Sequence, residues 1–202
     1  MLMRDHATLD HFDRLFTGAA DPWSTRTSRD EAHKRRVVLR MLGTQTHGRV
    51  LELGCGNGSN SRVLAKRALS LDACDGSKAA LRRAAKIVRS LSRVQLHHLP
   101  LPGRFPASTY DAIVVAELLY YLNDRTLDSV MREIERSLRP GGFLILCHHH
   151  RQFADAAQKQ PGLHARFIRQ SSIEWQSGKR HRTSRWEAQA YWRPRNRIGD
   201  TR

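Results

Sequence analysis

The chain has 202 residues, 40% of them hydrophobic, and a formal net charge of +16 at pH 7. That length suits one domain with a real core, and no apolar run approaches the ~20 residues that cross a bilayer as a helix. Met1-Leu2-Met3-Arg4-Asp5-His6 lacks the apolar core of a secretory leader, and Cys55, Cys74 and Cys147 are three cysteines set in or beside strands, which reads as buried small hydrophobes and a reducing cytoplasm.

In chain order, an amphipathic segment near residues 11–16 leads to the turn pair Asp21-Pro22. A helix is expected over 28–42, opened by Ser28 with Glu31 at capping-box spacing and apolar on its Val37, Val38 and Met41 side. The first strand is 50–53, a helix follows over about 59–67, and the second strand is about 69–74. Ser77 caps a helix to about 89. The third strand, 94–97, precedes a loop marked by Pro100, Pro102 and Pro106. The fourth, 112–115, is apolar throughout, as inside a parallel sheet. A helix over about 126–138 stops before Pro140-Gly141-Gly142, and the fifth strand is 143–147. Segments 172–176 and 183–191 flank Ser177-Gly178 and read as a closing hairpin.

Strands alternating with helices at this spacing make an α/β, doubly wound, Rossmann-like sheet covered on both faces. The hairpin brings it to seven strands, mostly parallel with an antiparallel end. A single domain is expected over 1–202, with a helical arm (1–45) over the pocket, a core (46–150), and a lid with the hairpin (151–202). Ligands of such sheets bind beyond the carboxyl ends of the strands.

The run Val50-Leu51-Glu52-Leu53-Gly54-Cys55-Gly56-Asn57-Gly58 places a buried strand directly before a glycine turn, and Asp75 ends the second strand, where an acid meets ribose hydroxyls. A dinucleotide site spaces its glycines G-x-G-x-x-G; here they read G-x-G-x-G with Glu52 two residues ahead. This resembles the first motif of class I S-adenosylmethionine-dependent methyltransferases. The resemblance implies S-adenosyl-L-methionine as cofactor, with Gly54, Cys55, Gly56 and Gly58 beneath its methionine part and ribose. Asp75 and Gly76 would then lie at the ribose, and Glu52 would steady the loop.

Two more segments, Asp21-Pro22-Trp23-x-x-Arg26-Thr27-Ser28-x-x-Glu31-x-x-Lys34 and Val114-Val115-Ala116-Glu117-Leu118-Leu119-Tyr120-Tyr121-Leu122, resemble the NodS-like methyltransferases. That resemblance covers about residues 11 to 150. It implies N-methylation of a small acceptor, best a sugar or oligosaccharide amine. Ala116 and Glu117 would line the methyl group, and the arm would fold over the cofactor, with Trp23 packing there and Arg26 pairing with the methionine carboxylate. Asp30 stands where relatives carry an aromatic, and His97-His98 stand where an acid commonly reaches the adenine, so His98 becomes the adenine candidate.

Methyl transfer from a sulfonium is an in-line displacement that rests on positioning, and an amine acceptor must lose its ammonium proton. Glu117 is the candidate counter-charge or base. Tyr120 and Tyr121 are candidates for the acceptor wall, one of them expected in the core. Of His148-His149-His150, one of the first two is expected to face the acceptor and shuttle protons, with His148 taken as that residue. No metal site is expected, since adjacent strand residues face opposite ways and ligand spacing is missing. His164 and Phe167 are assigned to a lid. The basic tail residues Lys179, Arg180, Arg182, Arg185, Arg193, Arg195, Arg197 and Arg202 face only Glu187 and Asp200. Nucleic acid is a possible but disfavoured partner, because no aromatic-interleaved RNA motif accompanies the charge. The rival readings are a methyltransferase of RNA or another polyanion, and a non-catalytic module that keeps the fold.

Overall fold

The computed structural model describes residues 8–195; the leader reading at residues 1–6 and the tail residues Arg197, Asp200 and Arg202 lie outside them. The strands are β1 (His47–Leu53), β2 (Ala68–Asp75), β3 (Val94–His98), β4 (Tyr110–Ala116), β5 (Leu138–His149), β6 (Gln176–Arg182) and β7 (Trp186–Trp192). They form one seven-stranded sheet in the order β3-β2-β1-β4-β5-β7-β6. The first five pair in parallel, and β7 runs antiparallel to both β5 and β6. The helices are α1 (Leu9–Gly18), α2 (Arg29–Met41), α3 (Ser61–Leu64), α4 (Lys78–Val88), α5 (Asp124–Ser137) and α6 (Leu163–Ile168). The doubly wound fold read from the sequence is the fold observed.

Strand order reverses between β1 and β4, so the loops after these two strands open a crevice at the carboxyl edge of the sheet. Side-chain alternation explains why β4 is apolar throughout. Ile113 and Val115 join the core facing α5, with Met131 and Ile134, while Ala112 and Val114 join the core facing α2, with Val37 and Val38. Among the described residues, no helix is long and apolar enough to cross a membrane. The three cysteines are buried and unpaired.

The hairpin is displaced from its expected position. Its turn is 183–185, where Thr183 Oγ1 accepts the backbone N–H groups of Arg185 and Trp186. Gly178 lies inside β6 because β7 approaches it closely: a Cβ there would stand 2.7 Å from Trp192 Nε1. Pro140-Gly141-Gly142 likewise does not delay β5, which starts at Leu138 and absorbs the three residues at a register shift. Ser28 caps α2 by accepting from Glu31 N at 3.4 Å, but the Glu31 carboxylate goes to Lys34, so only one arm of the capping box forms. The helix expected over 59–67 is one short turn, α3, continued by a 3-10 turn at Ala65–Arg67.

The arm is pinned to the sheet. Asp13 accepts from Ser77 Oγ (2.5 Å) and Ala79 N (2.9 Å) at the start of α4, and Phe16 packs on Ala79 and Ala80.

Candidate active site

A cavity of about 470 Å³ opens over the switch point, walled by the arm, the glycine loop, the end of β2 and the segment after β4. Gly54, Gly56 and Gly58 all have positive φ (71°, 54° and 82°), so each position favours glycine. Their roles then separate. Gly54, Cys55 and Gly56 line the cavity; Gly58 does not. A Cβ on Gly58 would stand 3.0 Å from Ala84 Cα, so its smallness lets α4 approach.

Asp75 lines the cavity and is held by two backbone donors, Gly56 N to Oδ2 and Ser77 N to Oδ1, each 2.8 Å. Burial raises its pKa, against the pull of those two amides. Each oxygen keeps a lone pair for a further donor, the chemistry a vicinal diol needs. Glu52 lies beneath the loop and outside the cavity lining. Its Oε2 accepts from Ser61 Oγ at 2.6 Å, its Oε1 has no partner, and burial pushes its pKa up to about 8. It ties the end of β1 to the start of α3.

The arm meets the loop through a network that sequence reading missed. Asp21 Oδ1 accepts from Thr25 N (2.8 Å), Thr25 Oγ1 (2.6 Å) and Asn57 Nδ2 (3.0 Å), and Asn57 Oδ1 accepts from Ser59 Oγ at 2.7 Å. Trp23 lines the cavity, although it is 44% exposed, and stands edge-on to Phe16 at 5.3 Å. Arg26 is exposed and outside the lining, and its backbone N–H serves Asp21 instead. The expected pairing of Arg26 with the methionine carboxylate therefore has no support in the geometry. His98 is also exposed and outside the lining: its Nε2 meets Gly76 O at 2.9 Å, because the last residue of β3 pairs beside Asp75 and turns outward. Gly76, Leu99 and Leu101 stand at that end of the cavity.

At the other end Ala116, the last residue of β4, and Glu117 after it enter the cavity wall. Glu117 has φ 54°, a left-handed conformation uncommon outside glycine. Both oxygens of its carboxylate meet donors. Oε1 accepts from Lys34 Nζ at 2.5 Å, and Oε2 accepts from Tyr120 OH at 2.8 Å and His149 N at 3.2 Å. Lys34 Nζ also lies 2.5 Å from Glu31 Oε1 and 2.9 Å from His149 Nε2. Burial opposes the lysine charge, but Glu117 and Glu31 outweigh it and raise the Lys34 pKa. An ammonium only donates, so His149 Nε2 accepts from it and Nδ1–H donates to Arg185 O at 3.2 Å. The facing Glu31 carboxylate raises the His149 pKa, against burial.

The histidine facing the cavity is thus His149, not His148. Alternation along β5 turns His148 the other way, where it is 2% exposed. Its Nε2 accepts from Leu119 N at 3.1 Å and its Nδ1 meets His164 Nε2 at 2.9 Å. Burial, then the neighbouring His164, holds its pKa well below the usual histidine range. His148 braces the turn carrying Tyr120 and does not reach the cavity. His164 and Phe167 are buried and lie outside the lining, so they are packing residues of α6. Tyr120 and Tyr121 both line the cavity, their rings edge-on at 4.5 Å, and Tyr120 is also part of the core facing α5.

Glu31 and Lys34 were missed as site residues. Their i, i+3 spacing was visible but matches any surface helix pair.

Residues 50–142 match the family described as Methyltransferase domain. Demethylmenaquinone methyltransferase of Tropheryma whipplei (strain Twist) is 30% identical over 127 residues, 61% of this chain and 52% of that protein. Nodulation protein S of Azorhizobium caulinodans is 28% identical over 129 residues, covering 63% of this chain and 62% of that one. The chain spans about half the length of the first of these relatives. The structure of N-methyltransferase NodS from Bradyrhizobium japonicum WM9 with S-adenosyl-L-homocysteine superposes with a TM-score of 0.77 at 21% identity, covering 92% of this chain and 98% of that one.

Proposed function

Because the chain carries a class I S-adenosylmethionine-dependent methyltransferase domain of the NodS-like kind, we infer that it methylates an amine of a small-molecule acceptor, with an amino sugar or oligosaccharide as first candidate. The observation that carries the amine is the charge of the cavity end beside Ala116. Glu31, Glu117 and Lys34 together bear one net negative charge while His149 is neutral, which suits a cationic amine.

The cofactor, when bound, supplies an electrophilic methyl group. Asp75 offers two carboxylate oxygens for its ribose, the Gly54–Gly56 backbone leaves room for it, and Leu99 and Leu101 give an apolar surface for its base. Trp23 and the Asp21–Asn57 network close the arm over the loop. Glu117 holds the wall in shape. It accepts from three protein donors, so it serves as the counter-charge of the wall. The proton acceptor is His149: Lys34 turns from its Nε2 to the two carboxylates it already contacts, and the freed Nε2 lies 3.6 Å from Glu31 and 3.8 Å from Glu117, the anions that would stabilise an imidazolium. Tyr120 and Tyr121 wall the acceptor and exclude water.

The test is radiolabelled methyl transfer from S-adenosylmethionine to a panel of amino sugars, deacetylated chitooligosaccharides, their N-acetylated forms, and RNA. Label on the free amines and none on the acetylated forms supports the reading. Label confined to hydroxyls or to RNA rejects it.

A further inference from the structure

The acceptor end of the cavity is ringed by aromatics from four parts of the chain. Phe12 of α1 stands 4.9 Å from Tyr121, Tyr121 stands 4.5 Å from Tyr120, Tyr120 stands 5.4 Å from Phe153, and Phe153 stands 6.2 Å from His149. All five line the cavity, with the Glu117 carboxylate beside them. Aromatic faces attract cations, most of all where water is excluded.

The carboxylates beside this belt already meet protein donors. Lys34, Tyr120 and His149 N occupy Glu117, and Lys34 occupies Glu31. A primary ammonium brings three N–H donors, which compete with Lys34 for the lone pairs that remain on Glu31 and on Glu117 Oε1. Each N-methyl group removes one of these donors, leaving two on a monomethyl ammonium and one on a dimethyl ammonium, and the charge is then met by ring faces and by the net negative cluster.

We propose that this site takes amines that are already N-alkylated, and so carries one nitrogen through successive methylations. The proposal rests on the amine reading above and names the class of amine. In each round the ammonium gives one proton to His149, the freed lone pair forms the new carbon–nitrogen bond, and the carbon–sulfur electron pair leaves with sulfur as a neutral thioether. One S-adenosylmethionine is consumed per methyl, and the proton passes from His149 to solvent.

Two measurements test it. The first is calorimetry on the full chain saturated with S-adenosylhomocysteine, using choline and its uncharged isostere 3,3-dimethylbutan-1-ol. Choline should bind at least tenfold more tightly, and Phe153→Leu should erase most of that difference while leaving S-adenosylhomocysteine affinity within twofold. Equal binding of the two probes overturns the proposal. The second is product analysis with glucosamine and its N-methyl and N,N-dimethyl forms. Dimethyl and trimethyl products, with turnover rising along the series, support it. A single monomethyl product overturns it and leaves the amine reading standing, whereas methylation of oxygen alone removes both.

Discussion

Lys34 Nζ lies 2.5 Å from Glu117 Oε1, a pair separated by 83 positions and brought together by α2 and the end of β4. The same nitrogen contacts Glu31, so one buried ammonium compensates two carboxylates in the cavity wall. Replacing it should leave both acids uncompensated. Lys34→Met is expected to destabilise the fold by about 3–5 kcal/mol, the range for breaking a buried pair from one side. Lys34→Met/Glu117→Gln should recover part of that loss. Denaturant unfolding of the four-member cycle measures the coupling, and strict additivity would show that the contact carries no energy.

Asp75 is expected to govern cofactor affinity. Asp75→Ala removes acceptors for the ribose and frees the Gly56 and Ser77 amides. Charge-assisted hydrogen bonds contribute about 1.5–3 kcal/mol each, so S-adenosylhomocysteine affinity should fall at least tenfold in calorimetry. Unchanged affinity would move the cofactor elsewhere in the cavity.

His149 should set the acid limb of activity. Its raised pKa keeps it protonated above the ordinary histidine value, and only the neutral ring accepts a proton. Methyl transfer should therefore rise with pH, with a midpoint above ~6.5. Glu31→Gln removes the chief cause of the shift, so the midpoint should move to lower pH. A midpoint that ignores Glu31→Gln would assign the limb to another group.

Glu52 gives a stability test with a defined sign. Its folded pKa is about 8, from burial and then from Asp75, against an ordinary 4.5. The folded state thus holds a proton that the unfolded chain releases above pH 4.5. Its contribution is fully present below that value and is lost as pH rises toward 8. Glu52→Gln cannot ionise, so its melting temperature relative to the parent should climb between pH 5 and pH 8. A constant difference across that range would mean that Glu52 is not held neutral.

Local signals made the cofactor half of this protein legible before any coordinates. The strand–glycine–acid run at 50–75 combines periodicity, positive-φ demand and an acid at a strand end, all encoded within 30 residues or so. Even there, Gly58 was read as cofactor-facing, because a glycine needed for helix approach looks the same in sequence as one beneath a ligand. Arg26 and His98 were placed by motif position, and the last turn of the arm and the final residue of β3 point them to solvent.

The acceptor half depended on tertiary structure. The sequence by itself determined that three histidines, His148 to His150, stand at the end of the fifth apolar run, that the helix before the first strand carries Glu31 and Lys34, and that Glu117 follows the fourth run. Alternation allowed either His148 or His149 to face the cavity, and the handedness of the sheet faces together with its packing on α2 chose His149. Pairing across 83 positions leaves no periodic trace, since neither partner constrains its own neighbours. Sequence reports what short stretches of backbone require. Which distant charges meet is decided only when α2, β4 and β5 pack, because an ion pair forms wherever the finished core has left two side chains within reach.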